Sequence, residues 1–260
     1  MFLNLKEYKV KPLFFLSFMA FLFCCTDHDS ILKTGYIDVG KTKLYYEEKG
    51  TGHPVIMIHG GFLTHRMWDD QFEEFAKYFR TIRYDARGHG KSKSVPDSFT
   101  HCQDLNCLIE QLNIDKAAVM GLSMGGYIAI DFALKYPDKV SALVLVAPGL
   151  SGYEFHGKEF EEYAQNYSEA AQANDVNMII EDFLKSWTDG PYRNPSDVNL
   201  AIREKVRNMA EETAKNRSEG SVEFRLTPLA INRLSEIKAP TLAVVGDLDM
   251  PGILEIGIRL

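Results

Sequence analysis

No histidine follows position 156 in this 260-residue sequence; the seven present are His28, His53, His59, His65, His89, His101 and His156. Any chemistry that needs an imidazole late in the chain has none to draw on. Cysteine is scarce as well: Cys24 and Cys25 end the first stretch, and only Cys102 and Cys107 remain beyond it. If "FTHCQDLNCLIEQL" is a helix, five positions turn about 140° around its axis, so these two thiols face apart. That excludes a disulfide between them, and without a second nearby pair it excludes a metal site. Blocks of lysine or arginine are also missing, and the net charge is −7, which excludes the basic stripe of a nucleic-acid-binding surface. What is present is a hydrophobic fraction of 45% and a charged fraction of 25%, ordinary for a globular chain. The length suffices for one large α/β domain or two small ones.

The first 25 residues form a unit of their own. "MFLNLKEYKVKP" carries Lys6, Lys9 and Lys11, and the uncharged run "LFFLSFMAFLFCC" follows. A bilayer-spanning helix takes about 20 apolar residues, more than this run offers. A basic start followed by a short apolar core is the pattern of a secretory signal. Leu22 stands three places before Cys25, which resembles a bacterial lipoprotein box. That resemblance implies a lipidated Cys25, possible membrane attachment through it, and an exported, periplasmic or membrane-anchored bacterial lipoprotein. An ordinary cleaved signal and an uncleaved anchor are the alternatives.

From Thr34 onward strand and helix patterns alternate, as in a mostly parallel, doubly wound α/β sheet. "TGYIDV" and "KLYYEEKG" read as two early strands. "PVIMIHGG", "TIRYDARG", "AAVMGLS" and "SALVLVAPG" read as four more, and the continuous apolar runs suit strands buried on both faces. Between them "MWDDQFEEFAKYF" places Trp68, Phe72, Phe75 and Phe79 on one helical face. "MGGYIAIDFALKYP" reads as a helix stopped near Pro137. After the sixth strand the rhythm breaks. Residues 150–236 contain amphipathic, charge-rich helical stretches and no strand-like run, the pattern expected of a lid over a site. "IKAPTLAVVGDLD" then resumes the strand pattern. The expected organisation is a signal over 1–25, a first core part over 31–149, the lid, and a core continuation over 237–260.

"VMGLSMGGY" contains G-x-S-x-G as Gly121, Ser123 and Gly125, directly after a buried strand and before a helix. A serine on a strained strand-to-helix turn needs small neighbours two residues away on each side. It would also sit at a helix N-terminus, where backbone N–H groups face developing negative charge. "HGG" at His59–Gly61 follows another strand. The N–H groups of Gly61 and Met124 could converge on one oxyanion, with Phe62 an alternative to Gly61. His59 reads as a side chain that pins this loop.

Together, "MIHGGFLTHRMWDDQF", "RYDARGHGKS", "MGLSMGG" and "PTLAVVGDLDMP" resemble the α/β-hydrolase fold, in particular its lidded serine esterase and enol-lactonase-like branch. The resemblance covers about residues 34–256. It implies a hydrolase of carboxylic esters, thioesters or lactones that needs no cofactor or metal and acts on a small-molecule substrate. Ser123 would be the nucleophile, and Asp249, in the G-x-x-D pattern begun by Gly246, the acid that orients a histidine; Asp247 is the other candidate. His89 would lie in a structural turn. Phe62, Trp68 and Tyr127 suggest an apolar pocket wall, although core packing also explains such aromatics. The family places its histidine in a loop after one more strand. Here that last strand, the last helix and the base are expected to be absent, and a vestigial or purely ligand-binding protein is the alternative to an enzyme. His156 is a conceivable substitute base from the lid.

Overall fold

The computed structural model describes residues 31–216 and 220–260. The expected signal and the lipidation at Cys25 lie outside the described residues. Among the described residues no helix is long and apolar enough to cross a membrane.

The chain opens as a hairpin of β1 (Lys33–Asp38) and β2 (Lys43–Lys49), turned at Gly40, whose φ of +79° suits glycine. Next come β3 (Pro54–Ile58), α1 (Asp69–Ala76), β4 (Arg80–Tyr84), the short β5 (Asp97–Phe99), α2 (His101–Gln111) and β6 (Ala117–Leu122). They are followed by α3 (Met124–Lys135) and β7 (Val140–Val146). The helical insertion holds α4 (Lys158–Gln172), α5 (Val176–Phe183) and α6 (Leu200–Ala214). Further along the chain come β8 (Ser221–Glu223), β9 (Thr241–Val244) and α7 (Pro251–Arg259).

Seven strands form one sheet in the order β1-β2-β4-β3-β6-β7-β9. The first two pairings, β1 with β2 and β2 with β4, are antiparallel, and all others are parallel. The sheet is covered on both faces, as its continuous apolar strands require. On one face Trp68 and Phe72 pack with Val55, Met57 and Met120, and Phe75 and Phe79 join them, so the four-aromatic stripe read from the sequence is a core stripe. On the other face Ile56, Ile58, Val119 and Leu143 pack with Leu105, Leu108, Ile128 and Phe132 of α2 and α3. Cys102 is buried there, Cys107 is half-buried, and both are free thiols.

Two details differ from the sequence reading. Residues 150–236 do contain a strand, β8, which pairs in parallel with β5 in a separate two-stranded sheet. At three residues it is too short to produce a recognisable apolar run. The helix after Trp68 also ends at Ala76, before Phe79.

The insertion is tied to the core near the end of β3. Lys205 pairs with Asp69 at 2.9 Å, Arg66 pairs with Glu212, and Thr213 Oγ1 donates to the Leu63 carbonyl at 3.4 Å. Beyond β9 the described residues hold α7 and no further strand. β9 is therefore an edge of the described sheet, with Leu242 58% and Val244 46% exposed. It carries no charge or proline, the usual protections of an edge strand.

Candidate active site

Parallel register brings several loops to one sheet edge. Ile58 at the end of β3 aligns with Gly121 of β6, Leu122 with Val146 of β7, and Val146 with Val244 of β9. The segments that follow these strands carry the HGG loop, Ser123, the start of the insertion, and Asp249.

Ser123 stands between β6 and α3 with φ 51° and ψ −109°, a conformation costly for any residue with a side chain. Its neighbours hold it there. A Cβ on Gly121 would lie 2.1 Å from the Gly125 carbonyl oxygen, and one on Gly125 would lie 2.2 Å from that of Ile58. A Cβ on Gly126 would meet Pro148 at 2.5 Å. The Ser123 N–H donates to the Val146 carbonyl at 3.1 Å, and its own carbonyl accepts from Gly126, Tyr127 and Gly149. The hydroxyl makes no capping bond to α3, so the helix does not consume it.

Met124 is the first residue of α3, and its N–H lies outside the intrahelical ladder. A Cβ on Gly61 would approach Met124 Cβ at 3.9 Å, so the two expected oxyanion donors sit side by side. His59 pins this loop from below. It is fully buried; its Nδ1 lies 2.8 Å from the Gly60 carbonyl, and its Nε2 accepts the Ala86 N–H at 2.9 Å. That pattern fixes a neutral ring with the proton on Nδ1, and burial lowers its pKa below the ordinary histidine value. Phe62 follows at φ 61° and packs against Phe183 of α5 at 4.9 Å between ring centres, beside Ile180 and Leu184. It thus joins the loop to the insertion.

A buried polar network beneath this loop had no sequence signal beyond scattered polar residues. The Nδ1 of His65 lies 2.8 Å from Asp85 Oδ1, and its Nε2 lies 3.3 Å from Glu47 Oε1. Two carboxylates around one ring require both nitrogens to carry protons. Burial alone would depress His65, but Asp85 and Glu47 outweigh it and raise its pKa. Burial would likewise raise Asp85 and Glu47; their hydrogen-bonded partners prevail and both are lowered. Arg83 completes the network on Glu47 at 2.6 Å and on Asp69 at 2.6 Å.

Asp249 follows β9 and is half-buried. Its Oδ1 accepts the Met250 N–H at 2.8 Å, and burial, partly offset by that bond and by Arg193, raises its pKa. No histidine among the described residues has Asp249 as a partner. The exposed His156 faces Glu255 of α7 at 3.4 Å instead. His89 packs against His59 with its ring tilted, 4.9 Å between ring centres, in the turn closed by the Gly88–Ser92 backbone bond.

The three aromatic residues expected along a pocket wall part company. Phe62 lies in the loop after β3, against Phe183. Trp68 is 5% exposed in the core on the α1 face. Tyr127, one turn beyond Ser123, points away into a side cavity, where its hydroxyl donates to Glu223 Oε1 at 2.8 Å and Arg225 lies 3.6 Å above its ring.

A serine on a strained turn between β6 and α3, beside the loop after β3 of a mostly parallel sheet, is the arrangement of the α/β hydrolases. Residues 53–252 match the family model for the alpha/beta hydrolase fold, and the chain belongs to that family. It is 27% identical over 253 residues to a 2-hydroxy-6-oxononadienedioate/2-hydroxy-6-oxononatrienedioate hydrolase of Paraburkholderia phymatum, covering 90% of this chain and 85% of that one. Among solved structures it is similar to a thermophilic esterase from Thermogutta terrifontis, at 25% identity and a TM-score of 0.60, covering 87% and 86% of the two chains. A bromoperoxidase from Bacillus anthracis shares the fold, at 23% identity and a TM-score of 0.68 over 86% and 87%. The named hydrolases among these relatives support hydrolase activity in general.

Two outcomes follow from this geometry. Gly125→Ala drives a methyl group into the Ile58 carbonyl, so thermal denaturation should show a loss of at least about 3 kcal/mol, or no soluble protein at all. An unchanged melting temperature would contradict the packing. For His65, the folded pKa lies above the unfolded value of about 6.5, so its stabilisation is complete below that pH and is lost as pH rises through the folded value. The melting-temperature gap between the wild type and His65→Gln should therefore be wide near pH 6 and narrow toward about pH 9. A gap that widens with pH would refute the assignment.

Proposed function

We propose that this chain is a serine hydrolase of carboxylic esters, thioesters or lactones that works through an acyl-enzyme on Ser123. The strained backbone of Ser123, beside Gly61 and at the start of α3, carries this reading. In the proposed reaction Ser123 Oγ attacks the substrate carbonyl carbon while its proton passes to a base. The carbonyl oxygen becomes an oxyanion held by the Gly61 and Met124 N–H groups. Collapse of this intermediate expels the alcohol, thiol or enol and leaves an ester on Ser123, which water then cleaves. Phe62 and the helical insertion, acting as a lid, shield the site from bulk water.

Asp249 is the proposed acid, and its partner histidine is missing from these 260 residues. A serine hydroxyl without a base is a poor nucleophile, and an oxyanion hole with substrate binding alone retains roughly 10³–10⁴-fold over water. A second reading is a protein that keeps the pocket, binds a small ligand and turns nothing over; among the described residues His156 faces Glu255 and not Asp249. A fluorophosphonate probe separates the readings. Slow labelling that vanishes in Ser123→Ala, together with weak hydrolysis of short-chain esters or lactones, is the expected result. Labelling as rapid as that of a complete serine hydrolase would overturn the claim that the base is missing, and no labelling at all would favour the ligand-binding reading.

We also propose that Cys25 is lipidated and holds the protein at a bacterial membrane. Metabolic labelling with a palmitate analogue should mark the wild type and not Cys25→Ala; equal labelling of both would refute it.

A further inference from the structure

Strand β9 has a neighbour on one side only among the described residues. The carbonyls of Pro240 and Val244 accept from the N–H groups of Leu143 and Ala147, so the even-numbered residues turn their backbone groups toward β7. Backbone direction alternates along a strand, so Thr241, Ala243 and the following Val245 turn theirs outward. Side chains at this edge are apolar as well. Leu242 and Val244 stand beside Val144 and Val146 of β7, at the open end of the apolar row that begins with Trp68 and Met120. Val245 is exposed, and so is Ile258 of α7, whose neighbour Gly257 lies against Val245. The opposite edge strand, β1, is by contrast charged at both ends, with Lys33 and Asp38.

The pattern along this edge fits an antiparallel copy of itself. With a two-fold axis at Ala243, every outward residue meets an outward residue: Ala243 meets its symmetry mate, and Thr241 meets Val245 twice. These are the hydrogen-bonded pairs. Leu242 then falls opposite Val244, also twice, at the positions where facing side chains come closest. Shifting the axis by one residue either way sets Val244 against Pro240 or Leu242 against Gly246. Charge fixes the direction. Lys238 before the strand and Asp247 after it are exposed, and neither has an ion pair among the described residues. An antiparallel copy lays each Lys238 beside the turn that carries the other copy's Asp247. A parallel copy would set lysine beside lysine and aspartate beside aspartate.

We propose that two copies of this chain pair through β9, antiparallel about a two-fold axis at Ala243, and join their seven-stranded sheets into one. The same patch serves both copies, so the assembly closes at two. It removes from solvent an edge that has no charge or proline to protect it. The strands of the two copies run in opposite directions, so the two Ser123 turns lie at opposite ends of the joined sheet. The proposal therefore does not rest on the catalytic reading.

Sedimentation equilibrium of the full chain tests this. The wild type should show a reversible monomer–dimer equilibrium with a Kd in the micromolar range or tighter. Leu242→Lys places a cation in the apolar seam twice and should weaken the dimer about tenfold or more. Lys238→Glu and Asp247→Lys should each weaken it about tenfold by setting like charges together, and the double variant should return to within about threefold of the wild type. All three positions are exposed, and a circular dichroism melt checks that each variant is folded. A wild type that stays monomeric at about 100 μM overturns the proposal. So does a dimer that Leu242→Lys leaves intact, a double charge variant as weak as the single ones, or growth past the dimer with concentration.

Discussion

The close approach of backbones around Ser123 is the constraint on which the candidate site depends. β6, the Ser123 turn and α3 are pressed together at Gly121 and Gly125, and against β3 and Pro148, two residues after β7, with no room for a Cβ at either glycine or at Gly126. Such contact lets a buried strand stop and a helix begin within one residue, which leaves Ser123 no ordinary backbone conformation. The strain is held by four backbone hydrogen bonds and by the packing of the sheet, not by the serine itself. Ser123 is half-buried there, at the sheet edge where the other loops meet.

The other side of the candidate site depends on a different kind of support. The loop after β3 has no regular secondary structure, and polar side chains buried beneath it hold it in place. His59 anchors it to Ala86, and His65 anchors it to Asp85 and, through Glu47, to β2. A buried ionic cluster of this kind is expensive to assemble and more expensive to break in part. Two chemistries thus hold one candidate site: glycine packing around Ser123 and hydrogen-bonded imidazoles beneath the loop after β3. Phe62 connects both to the helical insertion through Phe183.

Much of the scaffold was legible in the sequence because parallel strands buried on both faces are written as unbroken apolar runs. The strands around "PVIMI", "AAVMGL" and "VSALVLV" could be read that way, and G-x-S-x-G placed the elbow between a strand and a helix. The three-residue β8 escaped, since so short a strand is made by its pairing with β5 and not by its own pattern. Trp68 and Tyr127 were ambiguous for a related reason: an aromatic residue serves a core and a pocket equally well. Only packing sends Trp68 into the core with Met57 and Met120, and Tyr127 toward Glu223 and Arg225.

The sequence by itself determined the fold class, the position of Ser123 on its turn, and the lack of any histidine after His156, because these follow from local pattern and composition. The tertiary structure decided which polar residues meet. Glu47 and Asp85 are far apart in sequence, yet they close around one imidazole, and Asp131 of α3 meets Ser151 from beyond β7. No local pattern encodes such meetings, since a side chain's partner and its burial are set by strand order and helix packing. That is why the nucleophile could be named from nine residues, while its surroundings required the whole chain.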